Sequence, residues 1–385
     1  VNRTDVLIIG AGPAGSIAAL LLARAGLRVR LLDRARFPRH KLCGDTLNPG
    51  ALAMVRQFGV AHRIEAAALP IRGMVVTGDD GTEIIGEYDA ATRGVALPRR
   101  DLDALLLETA IDAGVEVDEH VTVLAPHVSE TAGRVRVDGV EIAGTRGRLR
   151  LEAPMTIAAD GRHSRLAFAL GLARHPARPR RWAIGAYFEN VAGCRAAFGE
   201  MHIRQDQYIG ICPVPGGLTN ACVVVSDPRA GAIADPPALL SSALSHDRLL
   251  GDRFASARMI GRPTVIGPLA VDTTRAGVDG LLLAGDAAGF IDPMTGDGLR
   301  FAIKGAELAA DVARRSIENP SVDAAGELTR RRAQAFAGKW RLNRALRRLV
   351  ASPRAIALAS SAARLWPLPV QHLIARAGDT NARLV

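Results

Sequence analysis

The chain of 385 residues holds only four cysteines, Cys43, Cys194, Cys212 and Cys222, and no Cys-x-x-Cys pair. That spacing argues against a zinc knuckle and a disulfide framework, and it fits a reducing compartment. No apolar run reaches the length of about 18 residues that a membrane span requires. The apolar stretch Val6-Leu-Ile-Ile9 is too short for a signal core and runs directly into glycines, so it reads as a strand. A cytoplasmic protein is the expectation. Internal repeats and long low-complexity segments are also lacking. What is present is a globular composition, 48% hydrophobic and 23% charged, enough for one large domain or two intertwined ones.

The net charge of +10 is unevenly placed. From Thr329 to Val385 there are twelve Arg or Lys and one acid, Asp379, which leaves the rest of the chain near neutrality. Helical periodicity over Thr329–Arg348 predicts a basic C-terminal helix. It is either a solvated face or a docking surface for something acidic, such as anionic lipid headgroups or an acidic carrier protein. Nucleic acid is not expected, because Arg341–Pro353 lacks aromatic residues for base stacking.

Asp5-Val-Leu-Ile-Ile-Gly10 has the form of a buried parallel strand. Gly10, Gly12 and Gly15 follow the pattern Gly-x-Gly-x-x-Gly, and an Ala/Leu-rich helix is predicted from about Pro13 to Ala25. A second strand, Leu27 to Leu32, ends at Asp33, 18 positions after the last glycine. In such a βαβ unit the glycines admit a pyrophosphate close to the backbone. The helix N-terminal amides face its charge, and the acid accepts from ribose hydroxyls. NAD and FAD both use this unit.

Two further stretches are built alike. Met155-Thr-Ile-Ala-Ala-Asp160-Gly161 is a strand running into Asp-Gly. Gly280-Leu-Leu-Leu-Ala-Gly-Asp286 is a strand running into Gly-Asp. It leads through Pro293-Met-Thr-Gly296-Asp-Gly298 to a helix predicted from about Leu299 to Arg315. A glycine-preceded helix N-terminus presents free amides and a positive dipole end, suited to an anionic reduced flavin ring. No second dinucleotide fingerprint is present, so NAD(P)H is at most a transient electron donor.

In this order the three stretches resemble the FAD-dependent hydroxylase fold superfamily, which includes aromatic hydroxylases, flavin halogenases and geranylgeranyl reductases. The resemblance covers nearly all of the chain to about residue 320. It implies an α/β fold: a Rossmann-like FAD-binding domain interleaved with an α+β substrate domain on a mainly antiparallel sheet, plus C-terminal helices. It assigns FAD to Gly10, Gly12, Ala14, Gly15, Asp33, Arg34, Asp160, Asp286, Pro293, Gly296, Gly298 and Leu299. An arginine opening the helix after the first βαβ unit is matched by Arg99, with Arg100 a close rival. Val123 falls near the adenine by the same analogy, or is plain core.

The segment Lys41-Leu-Cys43-Gly44-Asp45 resembles the Lys-x-Cys-Gly stretch of the geranylgeranyl reductase branch, which passes the flavin ring. By that resemblance Cys43, Gly44 and Asp45 also touch the cofactor, and Lys41 and Cys43 are candidate catalytic residues. Lys41 would favour negative charge on reduced flavin. Cys43 would be a polarizable neighbour or proton donor, needing a depressed pKa to act as thiolate, or else a small buried hydrophobe. Asp45 alternatively caps the helix after Thr46-Leu-Asn-Pro-Gly. Tyr208-Ile-Gly210-Ile-Cys212-Pro resembles the branch's Tyr-x-Trp-x-Phe-Pro substrate segment, with smaller side chains at Gly210 and Cys212 and hence a roomier or differently shaped pocket. Trp182-Ala-Ile-Gly does not match the halogenase Trp-x-Trp-x-Ile-Pro segment, which argues against halogenation.

The expected division is FAD-binding segments at 1–70, 95–165 and 270–320, a substrate domain at 71–94 and 166–269, and a basic helical segment at 321–385. The expected activity is FAD-dependent oxidoreduction of a lipophilic or carrier-bound small molecule, with hydride transfer at flavin N5. The alternatives are a monooxygenase using NAD(P)H and O2 and a non-catalytic isoprenoid-binding escort. No metal is expected. Peripheral contact with an anionic membrane through the tail would fit the charge distribution.

Overall fold

The computed structural model describes residues 4–378 apart from residues 90, 132, 145–146, 178–180, 227–232, 351–360 and 363–364. Its first layer is a six-stranded sheet in the order Gly277–Val278, Leu281–Leu283, Met155–Ala158, Val6–Ile9, Val29–Leu32, Glu116–Asp118. All neighbours are parallel except the edge pair Gly277–Val278 with Leu281–Leu283. Val6–Ile9 and Leu281–Leu283 are uninterrupted Val, Ile and Leu, Met155–Ala158 between them is Met-Thr-Ile-Ala, and all three are buried along their full length, as a sheet covered on both faces requires.

Register then does the functional work. Ile9 pairs with both Ala158 and Leu32, and Ala158 with Leu283. Gly10, Ala159-Asp160, Asp33 and Ala284-Gly285 therefore emerge together at the carboxyl ends of four adjacent strands, where open α/β sheets bind ligands. The helices Pro13–Arg24 and Gly298–Glu318 pack against one another over this sheet. The predicted strand and helix positions hold to within a few residues.

The second layer is a seven-stranded sheet in the order Arg258–Ile266, Arg181–Glu189, Leu218–Ser226, Gln207–Val214, Phe198–Arg204, Gly73–Thr77, Glu83–Glu87. It is antiparallel except where Phe198–Arg204 runs parallel to Gly73–Thr77. One face packs on the helix Pro236–Ser245 through Ile184, Ile209, Ile211, Val223, Leu240 and Leu244. The other faces the nucleotide-binding layer. A three-stranded antiparallel sheet, Val123–Thr131, Arg134–Gly144 and Gly147–Glu152, is inserted into the first domain.

The C-terminal segment is part of the body of the protein. In the helix Ala324–Val350 one stripe, Leu328, Arg332, Phe336, Lys339 and Asn343, is buried. The short helix Leu368–Ala377 lies on the edge strand Glu83–Glu87, with Ile374 packed where a Cβ on Gly86 would come within 2.6 Å of it.

Candidate functional site

Close glycine contacts bring the three sequence stretches together. A Cβ on Gly10 would stand 2.6 Å from the Ala159 carbonyl oxygen, and one on Gly15 only 1.8 Å from that of Gly10. One on Gly285 would press on Ala14 at 2.9 Å. These positions admit no side chain, and Gly10 and Gly285 also have left-handed backbone, φ 97° and 59°, which favours glycine. By contrast, Gly12 faces open space bordered by the guanidinium groups of Arg39 and Arg99, 3.5 and 4.0 Å from where its Cβ would be. The helices Pro13–Arg24 and Gly298–Glu318 both begin without a side-chain cap, which leaves N-terminal amides for a ligand.

The carboxylate of Asp33 accepts the backbone N–H of Ala11 at 2.7 Å and of Ala35 at 2.8 Å. It thereby ties the end of its strand to the glycine loop and keeps lone pairs for hydroxyl donors. Arg34 beside it is exposed. Asp160 accepts the N–H of Arg165 at 3.0 Å, and burial raises its pKa. Asp286 is half-buried on the cavity wall with Arg162 and Lys41 as its charged neighbours. Val123 is buried against Leu7, Ile9 and Leu32.

Between Arg99 and Arg100 the structure decides clearly. Arg100 is exposed, while Arg99 is buried and grips Asp103 with two bonds of 2.6 and 2.8 Å. Arg39 adds a third contact to Asp103 at 3.1 Å. Burial of the Arg99 guanidinium opposes its charge, but Asp103 outweighs that and holds its pKa above the usual range. One fully buried carboxylate shared by two arginines leaves net positive charge at Gly12, as a pyrophosphate needs. Arg39 was not singled out from sequence; its only signal was its place in the basic run before Lys41.

Asp45 does not cap the following helix. Asn48 does, accepting the N–H of Ala51 at 2.9 Å. Asp45 has left-handed backbone, φ 56°, rare for a non-glycine residue, and its side chain turns inward. One oxygen accepts Tyr187 Oη at 2.6 Å and Asn220 Nδ2, and the other accepts the N–H of Arg99 at 3.1 Å. Asn220 Nδ2 also donates to the Cys43 carbonyl at 2.7 Å. Burial nevertheless pushes the Asp45 carboxyl up to about 6, against the donors Tyr187 and Asn220. The Cys43–Gly44 turn is thus held from the substrate sheet by two residues, Tyr187 and Asn220, that sequence reasoning missed.

Burial also raises the Cys43 thiol, so the side chain is a neutral thiol rather than a thiolate. Lys41 is drawn down to about 8 by burial and by Arg99. Its ammonium lies 4.0 Å from where a Cβ on Gly161 would be.

A cavity of about 430 Å3 runs between the two layers. Gly12, Ala14, Lys41, Cys43, Gly44, Arg99, Asp286, Pro293, Gly296, Gly298 and Leu299 line it on the nucleotide-binding side. Gly210, Cys212, Asn220 and Cys222 form its floor, and Met74, Val76, Ile84, Met201 and Ile203 its apolar end. Leu346, Val370, Leu373 and Ile374 close it from the two C-terminal helices. Tyr208, from the same sheet face, is buried next to the cavity rather than in its wall. Its hydroxyl donates to Asp292 at 2.7 Å, and Arg181 pairs with the same carboxylate at 2.8 Å. Tyr208 therefore anchors the start of the Pro293–Gly296 loop. Among the described residues no cluster of His, Cys, Asp and Glu could hold a metal ion.

A pyrophosphate cradle without side chains, two uncapped helix N-termini and a cavity opening from them define a flavin-nucleotide oxidoreductase of the hydroxylase fold. A family model described as an FAD binding domain matches residues 3–313, and the chain belongs to that family. It is an enzyme and its cofactor is FAD.

Among curated relatives, digeranylgeranylglycerophospholipid reductase 2 of Methanopyrus kandleri is 31% identical over 333 residues, 83% of this chain and 79% of that protein. Menaquinone reductase of Mycolicibacterium smegmatis is 29% identical, over 81% of this chain and 76% of that protein. Conditioned medium factor receptor 1 of Dictyostelium discoideum is 29% identical, and the chain spans 62% of its length. Among solved structures, the flavin-dependent brominase Bmp2 superposes with a TM-score of 0.84 at 20% identity, over 98% of this chain and 94% of that one. The likeness is one of fold.

Proposed function

We propose that the protein transfers a hydride between bound FAD and a lipophilic small molecule, in the manner of a polyprenyl-lipid or quinone reductase. The observation that carries this reading is the cavity. It begins at the FAD-binding loops and continues over a floor of small side chains into an end built from Met, Ile, Val and Leu. Such a lining rewards burial of hydrocarbon by about 25 cal/mol per Å2 and offers few polar groups to a hydrophilic substrate. The names of the two reductases above carry lipophilic substrates, which supports the same class.

FAD, when bound, supplies hydride chemistry at its ring. The chain's own residues supply the rest. Gly10 and Gly15 let the loop close on the Ala159 strand end and on itself, Gly12 leaves the space a pyrophosphate would take, and Arg39 and Arg99 would hold it. Lys41, charged below about pH 8, places an ammonium beside Gly161. Cys43, kept as a thiol by burial, holds a proton at Sγ on the cavity wall. Asp45, Tyr187 and Asn220 fix the turn that carries it.

Anaerobically reduced holoenzyme mixed with a menaquinone or a geranylgeranyl lipid should be reoxidised, and the flavin absorbance should return. NAD(P)H is the first electron donor to try. Oxygen uptake coupled to a hydroxylated product would instead establish a monooxygenase. Protein that is colourless and binds no added FAD would establish the escort.

A further inference from the structure

We propose that the rim formed by the two C-terminal helices is a docking surface for an anionic lipid bilayer, and that the cavity fills from it. This rests on the lipophilic-substrate reading. The helix Ala324–Val350 has two distinct faces near its end. Lys339 and Asn343 turn inward and Leu346 lines the cavity, whereas Arg341, Arg344 and Arg348 are exposed. Their spacing of three and four puts the three arginines on one stripe.

The second helix, Leu368–Ala377, lines the same cavity with Val370, Leu373 and Ile374. Immediately before it stand Leu365 and Trp366, 89% and 67% exposed, the two most exposed large apolar side chains among the described residues. Pro367 and Pro369 are exposed beside them and Leu368 is half-exposed. Exposed apolar side chains grouped in this way mark contact sites.

The chemistry selects the partner. A tryptophan with an adjacent leucine suits the headgroup boundary of a bilayer, and an arginine stripe suits its anionic surface. The excess positive charge of the chain from Thr329 onward adds long-range attraction to that surface. An acidic protein would satisfy the arginines but gives no reason for Leu365 and Trp366 to stand out in water. A substrate with long hydrocarbon chains resides in membrane, and both helices that meet the membrane also wall the cavity. Transfer would then occur without passage through water.

The test uses FAD-loaded full-length protein and sedimentation with vesicles of phosphatidylcholine alone or with about 30% phosphatidylglycerol. Binding is expected only to the anionic vesicles, weakening with salt. R341E/R344E/R348E should reduce it by about a hundredfold or more, from roughly fivefold per neutralised arginine near the surface. Leu365→Ser/Trp366→Ser should also weaken it, and brominated lipid should quench wild-type tryptophan fluorescence but not the same component in Trp366→Phe. Retained FAD absorbance certifies that each variant is folded.

Equal binding by wild type and the arginine variant would overturn the proposal. So would absence of binding to anionic vesicles, or quenching unchanged in Trp366→Phe. Vesicle binding without turnover of any isoprenoid or quinone would sink the substrate reading and leave the docking surface standing. Turnover of detergent-dispersed substrate without vesicle binding would do the reverse.

Discussion

The ammonium of Lys339 stands 3.0 Å from a carboxylate oxygen of Asp297 and donates to the carbonyls of Arg376 and Ala377 at 2.9 and 2.8 Å. Asn48 bridges the same two elements, reaching Asp297 at 3.3 Å and Ala377 O at 3.1 Å. Asp297 immediately precedes the helix that opens at Gly298. The C-terminal wall of the cavity is therefore tied to the loop before Gly298 through a buried cation and a buried amide.

Lys339→Met should be costly, because it removes the bonded cation of the buried Asp297 carboxylate and leaves only the weaker influence of Arg300. Breaking such a pair costs about 3–5 kcal/mol. Lowered melting temperature and weaker FAD retention are expected together. Lys339→Met combined with Asp297→Asn should recover much of the loss, as thermal denaturation of the two variants will show.

Asp45 makes a prediction in pH. Its folded pKa of about 6 lies above the ordinary 3.8, so the folded state binds its proton more tightly. The associated stability is fully present below about pH 4 and lost as pH rises through 6. Over that window the wild-type apoprotein should lose roughly 3 kcal/mol relative to Asp45→Asn. Asparagine tolerates the left-handed backbone, so the variant should fold. Parallel urea titrations across the window that show no difference in slope would refute the assignment.

Arg39 and Arg99 should separate under mutation. Arg39→Met removes a partly buried cation that adds one contact of 3.1 Å to Asp103, and should weaken FAD binding about tenfold, with a smaller change in apoprotein melting than Arg99→Met. Arg99→Met also strips the fully buried Asp103 of its two-bond partner, so the apoprotein should be destabilised by several kcal/mol, of order 3. Flavin-fluorescence titration and apoprotein melting curves distinguish the two.

Gly210 has room above it, since a Cβ there would meet only the Cys222 carbonyl at 3.9 Å. Gly210→Trp should therefore fold and bind FAD while filling the cavity floor. Turnover of a substrate that needs the added room, such as one with a bulky ring, should fall by tenfold or more, about the effect of losing a few buried methylenes, with the flavin spectrum unchanged. Undiminished turnover would place the substrate elsewhere.

The cofactor-binding half was legible because its signals are local: apolar strands ending in glycine, acids at strand ends, helices behind glycines. The surroundings of Cys43 were legible only as a resemblance. Their physical basis, Asp45 bonded to Asn220 across 175 residues of chain, depends on sheet packing that no window of sequence contains. The buried face of the tail was not legible for a related reason. Leu328, Arg332, Phe336, Lys339, Asn343 and Leu346 repeat at three and four residues, the spacing of an inward stripe. Three of the six are polar, however, and polarity reads as solvent until their partners are known: Ala288 O for Arg332 at 2.9 Å, Asp297 for Lys339.

Leu346 and Ile374 close the cavity late in the chain, more than 300 residues after the strand Val6–Ile9 that begins it. During synthesis the first 320 residues therefore emerge with an uncovered oily cleft between two finished sheets. Such an intermediate is prone to aggregate, and a message truncated before the last helices would yield a protein that accumulates in inclusion bodies rather than a soluble, weakened enzyme.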